Sequence, residues 1–192
     1  MKTIQTTLSK LPYVLSYSRL ALTLLILLMT IIEPMQNSIT ISVILVMALL
    51  TETFDSALAK RFKLYSVSLR QLDSKIDTFF WFSVLVLVMA VFPEFIKAHV
   101  VQIFTLITIE ILVLFIGYNK FKKSLALHTY SAKVWAALLT ITVLNLCGGN
   151  DGRIVFNMAF IWGILSQIEA ISIILKLRSY RADVKSIFHL VK

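Results

Sequence analysis

Glu52 and Asp55 stand three residues apart in the segment MALLTETFDSALAKRF, and Asp73 and Asp77 stand four apart in LRQLDSKIDTFFWF. Spacings of three and four place side chains on one face of a helix. Four acids drawn together would repel one another unless a metal ion or strong bases neutralised them. An all-oxygen set of this kind suits a hard divalent cation such as Mg²⁺. Ordinary ion pairs with Lys60, Arg61 and Lys75, which are near in sequence, are the plainer alternative. Acids are 10 of the 192 residues, so four at these fixed offsets would arise by chance in roughly one chain in a thousand.

The elements that must carry these acids are apolar. The chain is 58% hydrophobic and 15% charged, with a mean hydropathy of +0.86, whereas soluble domains are usually less than half apolar. Long apolar runs separated by short basic stretches predict a helical membrane protein, and no strand-like alternation suggests a barrel. The expected fold is a single all-α integral membrane domain spanning residues 1–192, with six transmembrane helices at about 14–32, 39–59, 76–92, 100–118, 132–147 and 154–177. Pro34, Pro93 and the pair Gly148-Gly149 mark ends of these runs. Leu20–Ile32 is read as part of the first span, because Glu33-Pro34-Met35 is no small-residue cleavage site. Cys147 is the only cysteine, so neither an intrachain disulfide nor a thiolate metal site can form.

The net charge of +9 could suggest nucleic acid, but its placement indicates a membrane orientation instead. Of the 19 lysines and arginines, 17 fall on one side of a six-span arrangement, and only Lys97 and Arg153 fall on the other. The positive-inside rule then puts both termini in the cytoplasm. No nucleic-acid partner is expected. Counted from Ile39, Glu52 lies about 20 Å into a hydrocarbon core of roughly 30 Å, toward the cytoplasmic face. Asp73 and Asp77 open the next, antiparallel span near the same face, so the four acids can converge there.

With these residues in place, the sequence resembles the CDP-alcohol phosphotransferase family, whose pattern is D-x2-D-G-x2-A-R-x8-G-x3-D-x3-D. Glu52, Asp55, Ser56, Ala59, Lys60, Leu69, Asp73 and Asp77 occupy its eight positions with every gap intact. The opening LPYVLSYSRL and the segment His128-Thr129-Tyr130-Ser131-Ala132-Lys133 are also similar to family segments. The resemblance implies transfer of a substituted phosphate, in the phosphatidyl branch from CDP-diacylglycerol, to a polar alcohol with release of CMP. It implies that Glu52, Asp55, Asp73 and Asp77 hold two divalent cations, Mg²⁺ or Mn²⁺, and that Asp77 is the general base. It places Asp55, Ser56, Ala59, Lys60 and Leu69 at the nucleotide, and it suggests a homodimer. The chain departs from the pattern at four positions. Glu52 adds a methylene, Ser56 and Leu69 replace glycines, and Lys60 replaces arginine, losing bidentate phosphate geometry.

Lys133 and His128 are candidate acceptor ligands, and the bordering basic residues lean toward a phosphorylated alcohol. Lys122 and Lys123 are expected at anionic lipid heads, Arg19 as an interfacial anchor, and His99 and His189 as interface residues. Glu110 and Glu169 lie deep in spans four and six, and Glu169 is expected to be protonated or paired with a polar interior group. The bilayer is the expected setting, in a bacterial inner membrane with the site facing the cytoplasm. Two alternatives stand beside the enzyme: a catalytically impaired homologue that binds nucleotide or lipid, and a small cation transporter with the acids lining its path.

Overall fold

The computed structural model describes the backbone of residues 2–32, 38–62 and 67–190, and the side chains of residues 14, 16–32, 38–51, 67–188 and 190. All regular structure among the described residues is helical: α1 (Lys2–Ile32), α2 (Ser38–Phe62), α3 (Val67–Val91), α4 (Pro93–Phe121), α5 (Tyr130–Cys147), α6 (Arg153–Lys176) and a 3-10 turn at Ile187–Leu190. Four of these helices, α3 to α6, are long and apolar enough to cross a membrane, and the described parts of α1 and α2 contribute shorter apolar stretches, Ser16–Ile32 and Ser38–Thr51. An all-helical integral membrane protein is therefore the architecture. The chain divides into two compact units, Met1–Val91 and Phe92–Lys192.

In the first unit α1 packs on both α2 and α3. Its apolar core includes Ile26, Ile41, Leu45, Ile76, Val84 and Leu87. Helix α3 begins nine residues before the apolar run that hydropathy picks out at Ile76. The reason is periodic burial: Leu69, Arg70, Asp73, Ile76 and Phe80 are all buried, and these spacings form one helical stripe. The stripe faces protein, so its first turns can be polar.

In the second unit α6 is the central element, packed on α4, α5 and the 3-10 turn. Helix α4 starts at Pro93, a residue suited to a first helical position because its missing N–H has no partner there anyway. His99 departs from helical backbone (φ −121°, ψ 16°). Its Nδ1 lies 2.9 Å from the Phe95 carbonyl oxygen, and its ring sits 4.4 Å from Phe95 and 5.0 Å from Phe156. His99 is thus a buried packing residue, not an interfacial one, because the neighbouring rings cover it.

Thr129 caps α5 by accepting from the Ala132 amide at 3.2 Å. The turn Gly148–Gly152 then reverses the chain, with Gly152 at φ +61° as the residue before α6. Gly163 lets α5 and α6 approach closely, since a Cβ there would lie 2.6 Å from Trp135 Nε1. After α4 and after α6 the chain is irregular, and these two stretches seal one end of the unit. Leu125 and Leu127 from the first join Val184 from the second around Val113, Ile173, Ile174 and Leu177.

Candidate active site

A line of polar residues runs along α1 where an apolar helix would otherwise bury only carbon. Ser16, Arg19 and Thr23 are 1%, 3% and 0% exposed, and their spacing puts them on one face. The opposing face of α3 carries Asp73 and Asp77. Ser16 Oγ donates to Asp73 Oδ1, and Arg19 donates from its guanidinium to Asp77 Oδ1. Both pairs advance in the same direction along the two helices, so α1 and α3 run parallel. Arg70, one helical turn before Asp73, approaches Asp73 Oδ2 at 3.4 Å. Thr23 returns its own hydroxyl to the Arg19 carbonyl at 2.8 Å.

Two acids and two guanidinium groups are therefore gathered on one surface, with Asp73 1% exposed and both arginines 3% exposed. Burying such charges without partners would be prohibitive, and removing one partner leaves the other uncompensated. Asp77 is more open than Asp73, its side chain being 22% exposed. The arrangement thus has a closed end at Asp73 and a more open end at Asp77.

The sequence-based expectations fare unevenly here. Asp73 and Asp77 do share a face of α3. Of the cations considered as ion-pair partners, Lys75 is exposed, and the side chains of Lys60 and Arg61 lie outside the described residues. Among the described residues, the cations that meet the two acids include Arg19 and Arg70. Arg19 is not an interfacial anchor: it is buried because Asp77 draws it against α3. Leu69 is packed into the first unit at 2% exposure. Glu52, Asp55, Ser56, Ala59 and Lys60 belong to α2, and their side chains lie outside the described residues, as does that of His189. Among the described residues, no three acidic, histidine or cysteine side chains converge as a metal site. The carboxylates of Asp73 and Asp77 nevertheless have the hard-oxygen donor chemistry that a divalent cation takes.

The second unit holds a different polar node. Ser131 donates to Glu169, whose other oxygen accepts from Ser186 Oγ at 2.8 Å and from the Ile187 amide at 3.1 Å. Ser166 and Thr129 reach the same Ser131 hydroxyl at 3.2 and 3.0 Å, and Trp162 Nε1 donates to the Ser131 carbonyl at 3.0 Å. Glu110 accepts from Gln167. Both deep acids are thus hydrogen-bonded within the unit. His128 and Lys133 flank this node in sequence. Both are half-buried, and His128 takes a left-handed backbone at φ +52°, a sparsely populated conformation for a residue with a side chain.

Sequence reasoning missed Ser16 and Arg19 as partners of the acids, and Ser131 and Ser186 as partners of Glu169. A signal for the first pair was available in the three-residue spacing of polar groups inside an apolar helix. Nothing local marks Ser186, which is 17 positions from Glu169. The CDP-alcohol phosphatidyltransferase family model matches residues 9–175. No curated protein and no solved structure matches the chain significantly. The match spans both units, from the polar face of α1 to the last turn of α6, and the chain belongs to the CDP-alcohol phosphatidyltransferases, an integral-membrane transferase family of phospholipid synthesis.

Proposed function

We propose that the protein transfers a phosphatidyl group from CDP-diacylglycerol, or a similar CDP-linked lipid, to a polar alcohol. The observation that carries this reading is the joining of the α1 face to Asp73 and Asp77, two acids at the family's positions. In the reaction the alcohol oxygen attacks the phosphatidyl phosphorus, the bond from that phosphorus to the CMP oxygen breaks, and CMP departs. Asp77 takes the hydroxyl proton as the new bond forms. Arg19 orients the Asp77 carboxylate, and Ser16 and Arg70 hold Asp73.

Glu52, Asp55, Asp73 and Asp77 would together hold divalent cations, Mg²⁺ or Mn²⁺, two being the number the four acids suit. Bound there, the ions would supply charge stabilisation at the pyrophosphate. Asp55, Ser56, Ala59, Lys60 and Leu69 border the nucleotide in this reading, and His128 and Lys133 serve the acceptor. The reading includes six spans, cytoplasmic termini, a site facing the cytoplasm of a bacterial inner membrane, and a homodimer. A cytosolic-side site lets the lipid tails stay in the bilayer while the polar alcohol enters from water.

The test is CMP release from CDP-diacylglycerol with Mg²⁺ or Mn²⁺ across a panel of polar alcohols, phosphorylated ones included, with the lipid product identified by mass spectrometry. Absence of CMP with every alcohol would remove the reading. One observation favours a second reading, a homologue that binds nucleotide or lipid without turnover: Leu69 fills packing space with an isobutyl group where the family pattern has glycine. Under that reading, Leu69→Gly together with Ser56→Gly raises CMP affinity over the parent protein. Unchanged affinity in a folded double variant counts against it.

A further inference from the structure

Two basic stretches far apart in sequence are joined at one end of the second unit. Lys122 and Lys123 follow α4, while Lys176, Arg178 and Arg181 end and follow α6, and all five are exposed. Lys120 holds the stretches together by donating to the Ile174 and Leu175 carbonyls at 2.8 and 3.0 Å. These acceptors lie in the last turn of α6, where a cation also meets the negative end of the helix dipole.

Tyr180 is a second strut. Its ring lies 5.9 Å from that of Phe121, Lys123 Nζ sits 5.5 Å over it, and its hydroxyl donates to the Ser124 carbonyl at 2.9 Å. A backbone bond from Asp183 N to Ala126 O, 2.9 Å, closes the join. The acid in the stretch, Asp183, is paired with Lys185. No carboxylate pairs with any of the five exposed cations among the described residues.

We infer that this patch binds anionic phospholipid headgroups of the adjoining leaflet. Its place argues for lipid: it sits where two membrane-crossing helices end, so its cations lie at headgroup depth. Its chemistry agrees, since uncompensated lysines and arginines beside a membrane attract anionic lipid. An amphipathic tyrosine at the same level is the side chain that membrane interfaces favour. The struts hold the cations together before any ligand arrives, which lowers the ordering cost of binding. The inference rests on charge and position and not on the transfer reaction, so activity is not its readout.

The experiment uses the full chain in nanodiscs of phosphatidylcholine mixed with phosphatidylglycerol, with retained lipid counted by native mass spectrometry after release into mild detergent. The wild-type protein should retain phosphatidylglycerol over phosphatidylcholine, less so at high salt. Removing one cation should lower that preference about fivefold, and Lys122→Gln with Lys123→Gln, Arg178→Gln and Arg181→Gln should abolish it. Lys97→Gln, at an exposed lysine paired with Glu94, should leave it unchanged. If the fourfold variant does not fold, the two pairwise variants carry the same expectation. The inference is overturned if a folded variant keeps the wild-type preference, if Lys97→Gln lowers it equally, or if inorganic phosphate or an RNA oligonucleotide displaces the lipid at equal concentration.

Discussion

The polar nodes of the two units satisfy carboxylates carried on apolar helices in different ways. Asp73 is met by the Ser16 hydroxyl and the Arg70 guanidinium, and Asp77 by the Arg19 guanidinium, whereas Glu169 is met by two hydroxyls and an amide and by no cation among the described residues. Full charges facing full charges make a surface that another charged group can enter by exchanging partners. Hydroxyls and an amide, each turned toward one carboxylate, make a closed knot. On the proposed reading, the first arrangement serves the reaction and the second serves architecture. A buried acid in a membrane protein is thus not a functional residue until its partners are known.

This contrast can be broken by experiment. Asp77→Asn should cut CMP release by about 10²–10⁴-fold, the usual share of general-base catalysis, while the protein stays folded. A Glu169→Gln variant as inactive as Asp77→Asn would erase the distinction between the nodes. Arg19→Ala removes the guanidinium that meets Asp77 and should lower stability by about 1–3 kcal/mol, read from thermal unfolding in detergent. Arg19→Lys keeps the charge and should restore most of that loss, whereas a purely steric role for Arg19 would make the two variants alike. Gly163→Ala forces a methyl against the Trp135 ring and should cost about 1–3 kcal/mol, with the KM for the lipid donor unchanged. Smallest is Thr129→Ala, which removes the α5 cap and should cost about 1 kcal/mol. If it instead lowered activity as Asp77→Asn does, the second node would be part of the reaction.

How much was legible in the sequence depended on the range of the contact. The acids of α3 were readable because helical periodicity turns a spacing of four into a shared face. The boundaries of α5 and α6 fell within two residues of expectation, since Gly148, Gly149 and the hydropathy change all mark the same place. The start of α3 was missed because a hydropathy window sees lipid-facing apolarity, and the turn with Arg70 and Asp73 faces protein. Arg19 was misjudged for a deeper reason. Near the end of an apolar run, a cation that snorkels to water and one that reaches an acid 58 positions away look alike. Only packing separates them.

The seal on the second unit also has a consequence in time. The amide of Tyr130 donates to the Lys185 carbonyl at 3.0 Å, and the Asp183 amide donates to Ala126. Residues 126–130 thus take their final partners from chain that the ribosome makes only after α5 and α6 are complete. During synthesis, the segment bearing His128 and Thr129 must wait some seconds at ordinary elongation rates, with Leu125 and Leu127 still lacking their Val184 contact. This end of the molecule can therefore complete its hydrogen bonds only after α6 has been made. A nascent chain stalled before Asp183 would carry its α4–α6 helices and an unsealed apolar end, the kind of surface that quality-control proteases and chaperones recognise.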